Sequence, residues 1–180
     1  METVTKTTWA LDPTHSEVQF KVKHLVISTV TGSLKVFEGA IATENDDFSD
    51  AQISFKADVN TIDTNMAQRD DHLKSPEFFD SEKFPSLSFV STSFTKKSDE
   101  DYELVGDLTI RDITKSVQLA VVYGGQMGDF YGNTKAGFEI TGKINRQEFG
   151  LVWSAVTEAG GIVVSDEVKL AINVQVIKQA

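Results

Sequence analysis

The stretch VSDEVKLAINVQVIK, residues 164–178, decides the fold class of this chain. Apolar side chains recur at every second position, and most of the positions between them are polar. The apolar set is Val168, Leu170, Ile172, Val174 and Val176. Successive side chains of a β-strand point to opposite faces of the sheet, so this pattern predicts a long strand with one buried face.

The same alternation runs through most of the chain. It recurs in YELVGDLTI, SVQLAVVY and TKAGFEITGKI, with short polar connections such as RDITK and KKSDED. Further strands are predicted for EVQFKVKH, AQISFKADV and SLSFVSTSF. In GSLKVFEGAIAT the apolar parity changes between Val36 and Phe37, which predicts a bulge or a sharp bend. Together these runs predict about eight antiparallel strands.

Two architectures fit this pattern: a β-sandwich and a closed antiparallel barrel. The barrel is favoured because a single long sheet with one apolar face must close or find a second sheet. Small residues at inward positions, Gly106, Ala136 and Gly142, would either leave room for a ligand or relieve crowding at strand bends. We therefore predict one domain over residues 1–180, a mainly β fold consisting of a single extended antiparallel barrel.

One segment breaks the strand pattern: NMAQRDDHLKSPEFFD, residues 65–80, called here the lid segment. Asn65 can cap a first helical turn, with Gln68 three residues later in the capping-box position. Pro76 suits the first position of a second helical turn, and two phenylalanines follow it. We predict a short helical lid over one open end of the barrel, which either plugs the core or controls access to the interior.

Charge and composition exclude several classes of protein. The 180 residues carry a formal net charge of −10 and lack the Lys/Arg clusters with which proteins bind nucleic acid. Without cysteine, disulfide bonds and thiolate metal sites are impossible. No apolar run approaches the roughly 20 residues of a membrane-spanning helix. The polar N-terminal residues contain no secretory signal, so we expect a cytoplasmic location, or a periplasmic one if a leader was removed.

Signals for metal binding and catalysis are weak. The three histidines, His15, His24 and His72, show no zinc-binding spacing, and no G-x-S-x-G motif is present. Asp70, Asp71 and His72 could carry out acid–base chemistry, although neighbouring residues on a helix point in different directions. We predict no metal and no cofactor, and an enzyme that uses residues 69–72 stays an alternative.

Four segments of the chain resemble the YceI family. They are WALDPTHSEVQFKVKHLVISTVTGSLKVFEG, NTIDTNMAQRDDHLKSPEFFDSEKFPSLSF, LVGDLTIRDITKSVQL and INRQEFGLVW. The run RDDHLKSPEFFDSEKFP is the most specific of these matches. The resemblance implies a lipocalin-like barrel, commonly a homodimer, that binds a polyisoprenoid, an isoprenoid quinone or another long-chain lipid inside without catalysis. An enzyme acting on a lipid-like substrate and a purely structural barrel remain the alternatives.

If the barrel holds a lipid tail, inward apolar residues should line it, although each could instead be ordinary core. The residues predicted to contact the tail are Phe20, Phe55, Phe78, Phe79, Phe89, Leu108, Leu119, Phe138, Phe149, Trp153 and Val168. The lid segment supplies the residues predicted to meet the headgroup and gate the entrance, Arg69, Asp70, His72 and Lys74. Burial of one methylene contributes roughly 0.8 kcal/mol, so burial of the tail alone can drive binding.

Overall fold

The computed structural model describes residues 6–25, 27–45, 47–153 and 164–179. These residues form eleven β-strands and one α-helix, α1 (Ala67–Lys74). The strands are β1 (Thr7–Leu11), β2 (Glu17–His24), β3 (Ser28–Leu34), β4 (Phe37–Thr43), β5 (Gln52–Asp58), β6 (Ile62–Asp63), β7 (Ser86–Lys96), β8 (Asp101–Ile110), β9 (Ile113–Gly128), β10 (Thr134–Asn145) and β11 (Val164–Lys178).

Backbone pairing closes these strands into a barrel. The order β1-β4-β5-β7-β8-β9-β10-β11 returns to its start because β1 also pairs with β11, and every ladder is antiparallel. An earlier part of β11 pairs with β2, and β2 pairs with β3. The segments β1 and β2 therefore act as one bent strand, as do β3 and β4. The prediction of a mainly β, eight-stranded antiparallel barrel is confirmed.

The first bend lies between β1 and β2, where residues 13–15 form a 3-10 turn. The Asp12 carboxylate accepts hydrogen bonds from Thr14 N at 3.0 Å and from Thr14 Oγ1 at 2.7 Å. His15 Nδ1 lies 2.7 Å from the other carboxylate oxygen. The hydrogen bonds from Thr14, followed by that from His15, lower the pKa of Asp12 to about 2. The charged carboxylate therefore stabilises the bend.

The second bend lies between β3 and β4, at the predicted change of parity. Leu34 and Phe37 are both buried, whereas Val36 between them is exposed. The backbone N–H groups of Lys35 and Val36 both donate to Thr61 Oγ1, each at 3.1 Å. One hydroxyl thus satisfies the two donors that the bend removes from the sheet. The predicted break in the strand is confirmed.

The lid segment replaces a direct connection between β5 and β7. Its helix α1 begins at Ala67, and Met66 is the N-cap residue, without a side-chain hydrogen bond. The predicted Asn65 cap is wrong, because Asn65 has a left-handed φ of 70° whereas an N-cap residue is extended. No second helix follows Pro76, and hydrogen-bonded turns cover that part of the chain instead. The predicted short helix in the lid is confirmed.

The opposite end of the barrel, called here the far end, is closed by the loop between β4 and β5. Phe48 of this loop is only 1% exposed. Its ring centroid lies 5.0 Å from that of Trp9, 5.1 Å from Phe138 and 5.5 Å from Tyr123. The hydroxyl of Tyr102 donates to the backbone oxygen of Asp47 and holds the loop in place. The loop between β4 and β5 therefore closes the far end with an aromatic plug.

Replacement of Phe48 by alanine tests this plug. We expect Phe48→Ala to lower the free energy of unfolding by about 3–5 kcal/mol, because it leaves a cavity among three aromatic rings. Phe130→Ala is the matched control, since Phe130 is fully exposed at a hairpin tip and should change stability by less than about 0.5 kcal/mol. Urea denaturation of both variants measures the difference, and equal losses would show that the loop does not close the far end.

Acid titration tests the bend at Asp12. Its folded pKa of about 2 lies below the ordinary value of 3.8, so its contribution is complete above pH 3.8 and is lost as the pH falls towards 2. We expect Asp12→Asn to cost about 1–2 kcal/mol at pH 7 and progressively less between pH 4 and 2. Asp107→Asn, an exposed carboxylate on β8, is the control. A difference that does not shrink at low pH would contradict this assignment.

Candidate ligand-binding cavity

The barrel contains a cavity of about 300 Å³ beneath the lid segment, called here the lid-end cavity. Inward side chains of β2, β3, β8, β9, β10 and β11 form most of its wall. These wall residues include Val18, Phe20, Val22, Val30, Leu34, Leu108, Val117, Ile144, Val168 and Leu170. A cavity of this size with an almost wholly apolar wall is typical of a site for a small apolar ligand.

A second cavity of about 100 Å³, called here the far-end cavity, lies towards the Phe48 plug. Its lining is apolar and includes Leu11, Ile41, Phe94, Phe138 and Val176. Four side chains line both cavities: Phe55, Phe89, Leu119 and Ile172. The two cavities are therefore neighbours along the barrel, separated by these four side chains.

Polar residues line the lid-end cavity from two regions: Thr64, Arg69 and His72 belong to the lid segment and its flank, whereas Gln19 and His24 lie on β2 and Arg146 follows β10. Arg69 of α1 lines the cavity and donates from Nε to Thr64 Oγ1 at 2.7 Å and from Nη2 to Thr64 O at 2.6 Å. The same Thr64 hydroxyl donates to Asp70 Oδ1 at 2.5 Å. The two hydrogen bonds that Arg69 donates to Thr64 use two of the five N–H groups of its guanidinium, so Arg69 retains donors that a ligand could use.

His72 joins the lid segment to the cavity wall. Its ring stands edge-on to Phe78 and to Trp153, with centroid distances of 5.1 Å and 5.0 Å. Its Nε2 atom contacts the carboxylate of Glu77. The cluster of His72, Phe78 and Trp153 thus forms an amphipathic rim of the cavity, in which three packed aromatic rings adjoin the polar contact between His72 and Glu77.

Arg146 is a buried cation at the edge of the same cavity, and only 3% of it is exposed. Its guanidinium donates to the backbone oxygens of Leu151 at 2.6 Å, Trp153 at 2.7 Å and Ser165 at 2.9 Å. Burial lowers the pKa of this guanidinium from its ordinary value, and the carboxylate of Asp166, 3.5 Å away, opposes the shift. Arg146 therefore fixes two chain segments that border the cavity.

The structure places most of the predicted tail-contact residues on a cavity. The lid-end cavity is lined by Phe20, Phe55, Phe78, Phe79, Phe89, Leu108, Leu119, Trp153 and Val168. The far-end cavity adds Phe138. Phe149 lines neither cavity, because it is 1% exposed and packs into the hydrophobic core. Contact of these residues with a ligand stays a prediction.

The four predicted gate residues separate into two pairs. Arg69 and His72 line the lid-end cavity. Asp70 and Lys74 do not line it, and the Asp70 carboxylate instead accepts hydrogen bonds from Thr64 N at 2.8 Å and from Thr64 Oγ1. Asp70 therefore helps to position Thr64, which in turn holds Arg69.

Among the polar residues of the site that the sequence patterns did not indicate are Thr64 and Arg146. Thr64 is 3% exposed and connects Arg69 to Asp70. The signal for Arg146 was its place directly after the strand TKAGFEITGKIN, within the quoted motif INRQEFGLVW. A single arginine gives no periodic pattern, so only the fold shows that five backbone and side-chain oxygens surround it.

The described ranges contain neither a metal-binding cluster nor a membrane-spanning helix. Among residues 6–25, 27–45, 47–153 and 164–179, no group of three or more His, Asp or Glu side chains is placed to hold a metal ion. The one helix in that part of the chain, α1, has neither the length nor the apolar character to cross a bilayer.

Comparison with known proteins agrees with this geometry. The profile of the YceI-like domain matches residues 9–176. Protein YceI of Salmonella newport is 37% identical over 165 residues, which cover 92% of this chain and 83% of that protein.

Solved structures share the same barrel. The Campylobacter jejuni YceI protein is 30% identical with a TM-score of 0.75, and the match covers 100% of both chains. A domain from Saccharophagus degradans, described as a polyisoprenoid binding domain implicated in plant cell wall breakdown, has a TM-score of 0.66 at 15% identity. That match covers 93% of this chain and 97% of the other, and it shows the fold alone. The barrel, its cavity and these matches lead to one conclusion: this chain belongs to the YceI-like family.

Proposed function

We propose that this chain binds a long-chain amphipathic lipid, such as a polyisoprenoid or an isoprenoid quinone, inside the barrel. The observation that carries the proposal is the distribution of polarity around the lid-end cavity. Its wall along the barrel strands is almost wholly apolar, with Gln19 and His24 of β2 as the polar exceptions, and Thr64, Arg69 and His72 lie at the lid. This arrangement suits a ligand with an apolar tail and a polar headgroup.

The energetics support a carrier in which the tail supplies most of the affinity. Burial of ten methylene groups contributes roughly 8 kcal/mol, which alone corresponds to a Kd near 1 μM. Ordering of the tail reduces this gain, and longer tails compensate for the loss. The headgroup contacts at Arg69 and His72 then need only set the direction of binding and the choice of ligand.

The comparisons support the same ligand class. The Saccharophagus degradans domain, which has the same fold, is described as binding a polyisoprenoid. That domain shares the barrel architecture, and the cavity of this chain, apolar along the strands and polar at the lid, fits a ligand of the same class. We infer that the cavity serves the same general class of ligand.

Binding without catalysis is the interpretation that the lid geometry favours. Of the three residues with acid–base potential, Asp70 accepts hydrogen bonds from Thr64 and, like Asp71, does not line the cavity. His72 lines the cavity and its Nε2 atom contacts the Glu77 carboxylate, so the enzyme alternative depends on His72. If His72→Ala abolished conversion of a bound lipid, the enzyme alternative would replace this proposal. The homodimer and the cellular location remain predictions from the sequence.

A cavity-filling variant tests the proposal. We expect Val30→Phe, on the inner wall of the lid-end cavity, to weaken binding of farnesol at least about tenfold, because the added ring occupies the volume of the tail. Val90→Phe, on the exposed side of β7, is the matched control and should change the Kd less than about twofold. Isothermal titration calorimetry measures both, with thermal melts to verify folding.

The proposal also predicts that a lipid co-purifies with the protein. Solvent extraction followed by mass spectrometry should release a long-chain lipid from protein purified from its own cells. Absence of such a lipid, together with farnesol affinities that do not differ between Val30→Phe and the unmodified chain, would overturn the proposed function.

A charge deletion tests the headgroup contact. We expect Arg69→Ala to weaken binding of farnesyl diphosphate about tenfold, because it removes charge-assisted hydrogen bonds at the lid, and to weaken farnesol binding less than about threefold. Lys74→Ala removes the same charge from the same helix but from a residue off the cavity, and should affect both ligands little. Equal losses for the two ligands, or equal losses for the two variants, would exclude a headgroup contact at Arg69.

A further inference from the structure

The lid-end and far-end cavities are divided by one layer of side chains. Phe55 on β5, Phe89 on β7, Leu119 on β9 and Ile172 on β11 line both cavities, and we call these four the dividing layer. A tail that enters from the lid reaches the dividing layer before it reaches the far-end cavity. The depth to which a tail can penetrate therefore depends on these side chains.

Glycines on the intervening strands hold the dividing layer in place. A Cβ atom at Gly106 on β8 would lie 2.3 Å from Phe89 Cζ, and one at Gly142 on β10 would lie 2.3 Å from Leu119 Cδ2. Side chains of the dividing layer thus occupy the space beside both glycines, so that this space does not add to either cavity. Of the two interpretations of the small inward residues, room for a ligand or relief of crowding, Gly106 and Gly142 fit the second, because each makes space for a larger neighbouring side chain.

The alternation of large residues and glycines sets how much of the lumen the layer fills. Phe89 and Leu119 each lie against a glycine on the neighbouring strand, so each rests close to the wall. Phe55 and Phe89 are direct cross-strand partners, and Ile172 is the partner of Ile140. The passage between the cavities is therefore set by these four side chains, two of which, Phe89 and Leu119, rest on glycines.

We propose that the dividing layer determines the length of the lipid tail that this barrel accepts. Tails that fill the lid-end cavity gain affinity with each added isoprene unit. Longer tails gain nothing further unless the dividing layer moves aside to admit them to the far-end cavity. This inference rests on the proposed function and adds to it a chain-length selectivity with named residues.

The test measures the Kd of four isoprenoid alcohols of increasing length: geraniol, farnesol, geranylgeraniol and solanesol. The proteins compared are the unmodified chain and two variants, each with a matched control variant. For the unmodified chain we expect affinity to rise along the series and then stop rising. Ile172→Ala opens the dividing layer. For the shortest alcohol that gains no further affinity with the unmodified chain, this variant should lower the Kd at least about tenfold, the gain from burying two more methylenes.

The matched control is Ile140→Ala, which removes the same atoms from the cross-strand partner. Ile140 is also half-buried but lines only the far-end cavity. We expect this variant to change the long-to-short affinity ratio less than about twofold, because the layer still blocks the tail. Equal gains for Ile172→Ala and Ile140→Ala, or a steady rise in affinity along the whole series for the unmodified chain, would overturn the chain-length proposal.

A second variant narrows the passage without removing packing atoms. In Gly142→Ala the new methyl group displaces the end of the flexible Leu119 side chain, while the nearest backbone atom, Gln118 O, is 3.6 Å away. We expect the affinity to stop rising about one isoprene unit earlier. Gly137→Ala, on the same strand with open space around the new Cβ, should leave the series unchanged.

The outcomes separate the two proposals. Binding of the short alcohols with no effect of Ile172→Ala or Gly142→Ala would overturn the dividing layer and leave the lipid-binding function intact. A chain that binds none of the alcohols would overturn both.

Discussion

The double pairing along one side of β11 is the constraint on which the rest of this structure depends. The last part of β11 pairs with β1, and the preceding part pairs with β2. Closure of this kind removes the unpaired edges of the eight-stranded ring, whereas the outer side of β3 pairs only with the two residues of β6. It also forces the paired strand to bend at Asp12, and the neighbouring strand bends in the same way between β3 and β4.

The barrel continues past the two bends, and its two ends differ in how completely side chains fill the lumen. At the far end, Phe48 and its aromatic neighbours fill the lumen and stabilise the closed sheet. At the lid, the wall stays apolar but incompletely filled, and Thr64, Arg69 and His72 supply polar groups. The dividing layer lies between these two regions. One continuous sheet therefore encloses both a tightly packed core and a cavity with room for a ligand.

Much of the fold could be predicted from the sequence because strand alternation is a local signal. The parity change between Val36 and Phe37 correctly placed a bend, and the apolar positions of β8 and β11 correctly predicted which side chains face inward. The Asn65 cap could not be settled locally, because Thr64 and Asp70 bond to each other and leave Asn65 outside the helix. The role of Phe48 was hidden because a single aromatic residue in an acidic loop has no periodic context.

For the candidate site, the sequence by itself determined which residues face the lumen, since side-chain direction in a strand follows from position parity. It also determined the apolar character of the wall and the presence of a charged lid. Only the tertiary structure decided that Arg69 reaches the cavity while Lys74 does not, that Arg146 binds the cavity border, and that Phe89 and Leu119 rest on glycines. These contacts join residues on different strands and loops, and the closure of the barrel, rather than any local pattern, brings them together.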